Sequence, residues 1–355
     1  MDGKRRGIMT DARRGGSTVS ADLVRMVMRY TAISPAEKAR ALRAAGLEAH
    51  ALDAPGARVS TGEFDAILAG LRPALEDPFF GLHFGAAFGT LMEGHFLHAM
   101  MMNSADVRRA LEIFFRYHAL MSDRVRPRLA EEGSEAVITV IGVTVPSAIG
   151  RQLAESTASM IVSVLRRITG NAVAVIAVRF RHEAPPERGE YRKVFNTSVE
   201  FGALRNEIRF AHEALARPLP FANAGAREAL ARYAQGLHEK LYARDRWAHA
   251  TLEAIDAAIL SGDDRSLKAV ARTLGTGART LQNRLAAEGT GFRALRDRAL
   301  SETAEGCMTR GEMSLCEIAL LLGFSEQSAF NRAFRKWTGS TPGEFRKRGS
   351  AKRHE

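Results

Sequence analysis

At 355 residues the chain is long enough to bury two hydrophobic cores, and its 46% apolar and 26% charged residues are the balance of a folded, water-soluble protein. The formal net charge of +11 draws it toward polyanions, either nucleic acid or an acidic membrane surface. No apolar run reaches the roughly 18 residues of a membrane-spanning helix. The basic opening, Lys4, Arg5, Arg6, Arg13 and Arg14, runs into Gly15, Gly16 and Ser17 rather than into the apolar core of a secretory signal. Cys307 and Cys316 are too few for a disulfide framework and read as small buried hydrophobes, so the expected compartment is the cytoplasm.

Residues 1–18 combine clustered charge with glycine and show no apolar period, which predicts a flexible basic tail. A helical pattern covers Val19 to Ala45, and others cover Pro78–Phe88, Gly94–Met102 and Ser104–Met121. In the last of these Ser104 is the expected N-cap, and Val107, Leu111, Phe114 and Phe115 form the apolar stripe. The period then changes. Ala136–Val145 and Val173–Phe180 are β-branched runs of strand length, with a helix over Arg151–Thr169 between them and short strands at Val199–Phe201 and Glu207–Phe210. Pro218 and Pro220 interrupt the pattern before a helix from Ala226 to about Ala243. A boundary near Arg244 to Arg246 therefore separates an α+β domain over 19–243 from an all-α domain over 244–348, with 349–355 as a tail.

The all-α domain contains a repeat. At an offset of 48 positions Leu267 falls on Leu315, Val270 on Ile318, Ala271 on Ala319, Leu274 on Leu322, Gly275 on Gly323, Asn283 on Asn331 and Arg284 on Arg332. Each copy reads as a short amphipathic helix, a turn glycine and a second helix, the form of a helix-turn-helix, over 266–288 and 314–337. Small Ala271 and Ala319 permit close helix approach, while Gly275 and Gly323 can take the positive φ of the turn. Ser314 with Glu317, and Thr341 with Glu344 and Pro342, form capping boxes, and Thr276 and Ser325 are the expected N-caps of the second helices. Between the copies, Phe292 to about Met308 reads as one helix of roughly 25 Å. Such a strut can hold two recognition helices about one duplex turn, roughly 34 Å, apart.

With Leu281, Leu285, Phe330 and Phe334 turned inward, the second helices present Arg279, Thr280, Gln282 and Asn283, then Gln327, Ser328, Asn331 and Arg332. These side chains suit base edges, because arginine pairs with the two acceptors of guanine, and glutamine or asparagine with the acceptor and donor of adenine. Arg284, Arg335, Lys336, Arg346, Lys347 and Arg348 approach phosphates or remain in solvent.

These residues resemble a known family, the AraC/XylS-type DNA-binding domain. The resemblance is carried by IALLLGFSEQSAFNRAFRKWTGSTPGEFR from Ile318 to Arg346 and by ARTLQNRLAAEGTGF from Ala278 to Phe292. Asn283 stands where many members carry a basic residue, and Arg332 stands where the second basic residue is expected. The N-terminal half resembles the arabinose-binding-like regulatory domain, through DPFFGLHFG (Asp77 to Gly85), the stretch from Gly94 to Asp123, and YRKVFNTSVEFGALRNEIRF (Tyr191 to Phe210). The resemblance implies a one-component regulator of a nearby operon, an activator or a dual regulator. In it a small effector held by the N-terminal domain changes how the C-terminal domain engages double-stranded promoter DNA. RNA polymerase and a second copy of the chain are the implied partners.

No nucleophile elbow, phosphate loop, dinucleotide fingerprint or zinc-protease helix occurs, and no cofactor or metal is expected. His83, His95, His98 and His118 read as packing histidines, and Met100, Met101, Met102 and Phe96 as core filling ahead of a pocket wall. Two other readings remain: a DNA-modifying or repair enzyme targeted by an AraC-type module, and a sequence-blind nucleoid protein.

Overall fold

The computed structural model describes residues 17–351 apart from 55, 142–147, 204, 243–245 and 309–312. The chain forms an α+β unit followed by an all-α unit, divided between His238 and Glu239. The division falls a few residues before Arg244, inside a helix, because the first part of that helix packs on the N-terminal core through Ala234.

In the N-terminal unit β1 (Thr18–Ser20) pairs antiparallel with β2 (Arg58–Ser60). Thr18 is fully buried and its hydroxyl donates to Asp123 at 3.0 Å, so the chain is already fixed at the end of the expected tail; residues 1–16 lie outside the described residues. The single helix expected over 19–45 is two, α1 (Ala21–Tyr30) and α2 (Pro35–Ala44). The break has a local cause: Pro35 disfavours a helical Ser34, which instead closes a capping box with Glu37. Another capping box, Ser60 with Glu63, starts α3 (Thr61–Leu71).

After α4 (Phe80–Leu91) and α5 (Phe96–Met102), α6 (Val107–Tyr117) is capped by Asp106, which accepts the Arg109 N–H at 2.8 Å. Ser104, the expected cap, instead donates to the Met100 carbonyl of the preceding helix. There follow β3 (Arg126–Glu132), β4 (Glu135–Ile141), α7 (Ala148–Thr169), β5 (Val175–Phe180), α8 (Gly189–Phe195), β6 (Ser198–Phe201) and β7 (Asn206–Ala211). The five strands from β3 onward form one sheet in the order β3, β4, β7, β5, β6, antiparallel except for β5 with β6. β3 escapes the sequence pattern because it is an edge strand with four charged residues among RPRLAEE.

α4 and α7 pack at unusually short range. Gly81, Gly85 and Gly89 lie one turn apart along α4 and meet Gln152, Ser156, Ser159 and Ser163 of α7. A methyl group on Gly81 would overlap the Gln152 carbonyl, and one on Gly85 the Ser156 carbonyl. At Gly89 the contact is polar, since its N–H donates to Ser163 Oγ, which donates in turn to the Ala86 carbonyl.

The second unit takes the end of α9 (Ala224–Tyr242) and continues through α10 (Arg246–Ser261), α11 (Leu267–Thr273), α12 (Ala278–Ala287), α13 (Phe292–Met308), α14 (Leu315–Leu321), α15 (Gln327–Thr338) and α16 (Pro342–Ala351). No strand occurs among its described residues. Helix α16 extends past the expected end of the domain at 348, and residues 352–355 lie outside the described residues. Leu281, Leu285, Phe330 and Phe334 are fully buried around α13, as the pattern requires. Cys307 is buried, but Cys316 is exposed on α14, since it faces away from buried Ile318 and Ala319.

The repeat needs one correction. First helices and turn glycines match at the expected offset of 48, with N-caps Ser266 and Ser314 and left-handed Gly275 (φ +63) and Gly323 (φ +72). The second helices match at 49: α12 follows N-cap Gly277, α15 follows N-cap Glu326, and buried Leu281 and Leu285 answer to Phe330 and Phe334. Thr276 and Ser325 are therefore not the caps. The N–H of Thr276 is tied back to the Ala271 carbonyl at 2.9 Å and that of Phe324 to Ala319 at 2.8 Å, so the residue after each glycine still belongs to the preceding helix end. The second turn then holds one residue more. Asn283 is the counterpart of Arg332, not of Asn331.

Candidate functional site

The outer faces of α12 and α15 carry the residues selected from the sequence. On α12, Arg279, Thr280, Gln282 and Asn283 are all exposed while Leu281 and Leu285 anchor the opposite face. On α15, Gln327, Ser328 and Arg332 are exposed, and the Ser328 hydroxyl donates to Glu326 at 3.0 Å. Between the two, α13 runs unbroken for 17 residues. At 1.5 Å per residue that is about 25 Å.

Two of the selected residues are placed differently. Arg284 is exposed, but its guanidinium lies 3.9 Å from the centre of the Trp247 ring, a cation–π contact that occupies it within the protein. Asn331 is half-buried, and its Oδ1 is shielded from water with no hydrogen-bond partner. One turn after Arg284, Glu288 accepts the N–H of Trp247 at 2.8 Å and of Ala248 at 2.7 Å, capping the first turn of α10. Helix α12 is thus fastened to the start of α10 by its own last turn. Arg346 is also committed, donating to the Met313 carbonyl at 2.6 Å rather than lying free for phosphate.

A further contact joins the two copies. Arg265, just ahead of α11, lies against Gly323 so closely that a Cβ there would come within 2.6 Å of its Nη2, and its Nη1 reaches the Leu321 carbonyl at 3.4 Å. Burial lowers the pKa of Arg265 from its ordinary value. The turn of the second copy is shaped to receive a side chain from the first.

The N-terminal unit holds a cavity of about 600 Å³, within the range of small-molecule sites. Met92, Met121 and Met160 line it, whereas Met100 and Met101 are buried core residues, as expected for them. His118 is also at the wall; burial pushes its imidazole pKa down to about 4, and Nδ1 bonds the Phe115 carbonyl at 2.8 Å. His83 bridges Asp77 and Glu190 at 2.8 and 3.3 Å, and His98 is buried.

Comparison with known proteins bears on both units. The family description "Arabinose-binding domain of AraC transcription regulator, N-term" matches residues 36–219, and "Helix-turn-helix domain" matches residues 270–348. The chain belongs to the AraC family of transcription regulators. Among its relatives, the ornithine utilization regulator of Pseudomonas aeruginosa is 26% identical over 305 residues, covering 85% of this chain and 88% of the relative. The HTH-type transcriptional regulator VirS of Mycobacterium tuberculosis is 26% identical over 297 residues, covering 82% and 85%. The crystal structure of the transcriptional regulator CdpR from Pseudomonas aeruginosa aligns over 92% of this chain and 98% of its own at 20% identity, with a TM-score of 0.43. This AraC-family chain is accordingly a transcription regulator with an AraC-type helix-turn-helix DNA-binding domain, and no described helix is long and apolar enough to cross a membrane.

Sequence reading missed Trp247, Glu288, Arg265 and the cavity of this AraC-family regulator. The first three act across gaps of some forty to sixty positions, which no local period reports. The cavity has one signal that was legible: the glycine spacing of Gly81, Gly85 and Gly89, which marks a helix face pressed against another backbone.

Proposed function

We propose that the chain is a cytoplasmic, effector-responsive activator or dual regulator of a nearby operon, which reads promoter DNA through α12 and α15 together. Arg279, Thr280, Gln282 and Asn283 form the base-reading set of the first helix, and Gln327, Ser328 and Arg332 that of the second, with Asn331 at the border of the face. Arg284 holds α12 in place. The observation that carries this reading is the pair of exposed polar faces on equivalent helices, joined by the continuous α13. RNA polymerase and a second copy of the chain are the partners that membership of the family implies, and the chain has no catalytic role in this scheme.

The test is footprinting of the full chain on its own upstream and neighbouring DNA, followed by affinity measurements across salt concentrations. Arg332→Ala is expected to lose about 1–3 kcal/mol on the cognate site and to relax base preference at one position. Equal weakening on unrelated duplexes would instead mark a sequence-blind binder.

A further inference from the structure

The cavity of the N-terminal unit has a direction. Helices α4 and α7 run side by side in the same sense, Gly81 facing Gln152 at one end and Gly89 facing Ser163 at the other. Arg72, Glu76, Asp77 and Arg151 line the cavity near the first turns of these helices. Farther along, its walls are Phe84, Phe88, Met92, Leu97 and Met160. From Phe80 to Met92 the helix advances about 18 Å. One end therefore gathers four charged side chains, and the rest is mainly hydrocarbon and aromatic, with His118, Ser122, Arg124, Ser156 and Thr157 set among it.

The charges at the polar end are unequally committed. Asp77 is engaged by His83 at 2.8 Å and by the Phe79 N–H at 2.8 Å, while Arg124, also at the wall, is paired with Asp65. Arg72 is exposed and its side chain makes no hydrogen bond or ion pair among the described residues. Arg151 donates from Nη2 to the Pro78 carbonyl at 3.0 Å, but its Nε is shielded from water without a hydrogen-bond acceptor. That Nε forms a long ion pair with the fully buried Glu155 at 3.5 Å, and Glu155 also accepts the Tyr191 hydroxyl. Arg72, without a partner among the described residues, and Arg151, engaged through Nη2 and Nε but with no bond from Nη1 among the described residues, thus stand beside one uncommitted carboxylate, Glu76. The planar fork of arginine matches a carboxylate, whereas a polyol would lose its hydrogen bonds to water along the apolar walls.

We infer that the effector cavity takes an amphipathic carboxylate, with its hydrocarbon body along α4 and α7 and its head on Arg72 and Arg151. This rests on the proposal that the N-terminal unit binds an effector, and it names the ligand class. The probe is decanoate, titrated into the full chain by calorimetry below its micellar concentration, beside its methyl ester, decylamine, L-arabinose and L-ornithine.

Decanoate is expected to bind saturably, and the ester and amine at least about tenfold more weakly. Arg72→Gln and Arg151→Gln each weaken decanoate by about tenfold and leave the ester unchanged. Met160→Trp, which fills the cavity, removes decanoate binding while circular dichroism stays that of the parent; the exposed Arg72 gives an independent test should that variant misfold. Equal binding of ester and carboxylate, undiminished decanoate binding by Met160→Trp, or saturable arabinose or ornithine binding in place of decanoate would overturn the inference. Absence of decanoate binding in a chain that still leaves a specific footprint overturns the ligand class alone. Decanoate binding without any footprint supports the ligand class and overturns the DNA-reading proposal.

Discussion

The two helix-turn-helix copies share a plan but are held in different ways. The second is built on aromatic packing: Phe330 and Phe334 are fully buried, with ring centres 5.7 Å apart, and Phe324, Trp337 and Phe345 close around them. The first has aliphatic Leu281 and Leu285 at the equivalent places, and it fixes the end of α12 through Arg284 on Trp247 and Glu288 on the first turn of α10. Aromatic burial is large and insensitive to small displacements. A cation–π contact and a helix cap are weaker and depend on geometry. One recognition helix is thus rigidly cored, and the other is tied to the helix that follows the junction between the units.

Both tryptophans, Trp247 and Trp337, lie in the C-terminal unit, so tryptophan fluorescence during urea unfolding reports on that unit alone. The largest expected effect is Phe334→Ala, a loss of about 3–5 kcal/mol and greater than that of Leu285→Ala at the equivalent position, within about 2–5 kcal/mol. Equal losses would break the distinction between an aromatic and an aliphatic copy.

Next comes the turn. Gly323→Ala is expected to cost about 2–3 kcal/mol, from left-handed strain of about 1–2 kcal/mol together with displacement of Arg265. Gly275→Ala meets nothing nearby and should cost only the strain, about 1–2 kcal/mol. Measured on an Arg265→Ala background, the excess at Gly323 should vanish, and its persistence would remove Arg265 as the link between the copies.

A smaller effect comes from correcting the repeat. Because Asn283 occupies the place of Arg332 and is placed among the base readers, Asn283→Arg should change the preferred base at one position of the first half-site, with the salt slope unchanged, and a slope steeper by about one would instead place this position at a phosphate. The smallest effect is that of Arg284→Ala, which should lower stability by about 0.5–1 kcal/mol and weaken DNA binding with no change in salt slope. A slope reduced by about one would instead make Arg284 a phosphate contact.

Much of the C-terminal unit could be read directly. Serine caps both first helices, Ser314 and Thr341 are each followed by glutamate three positions on, and the left-handed glycines fall at the ends of the first helices; all of these are local rules. The offset of the second helices could not be read, because the extra residue in the second turn leaves Gly275 and Gly323 aligned and shows only in which side chains are buried. In the N-terminal unit the strands β4, β5 and β7 followed from strand-length apolar runs, while the charged edge strand β3 lacked a usable period; helix α3, which the sequence expectations omit, did carry a legible signal, the capping box of Ser60 with Glu63 and the spacing of Phe64, Ile67 and Leu71.

The amino-acid sequence by itself determined that there are two units, which one carries the paired helix-turn-helix, and which faces of α12 and α15 are apolar. Periodicity and capping act within a few residues, so these features are written along the chain. Only the tertiary structure decided that Arg284 stacks on Trp247, that Arg265 fills the Gly323 turn, and that three glycines and a row of serines bring α4 against α7 beside a hollow with one charged end. Those outcomes depend on which distant segments share a volume, and contact across such separations leaves no mark in local spacing.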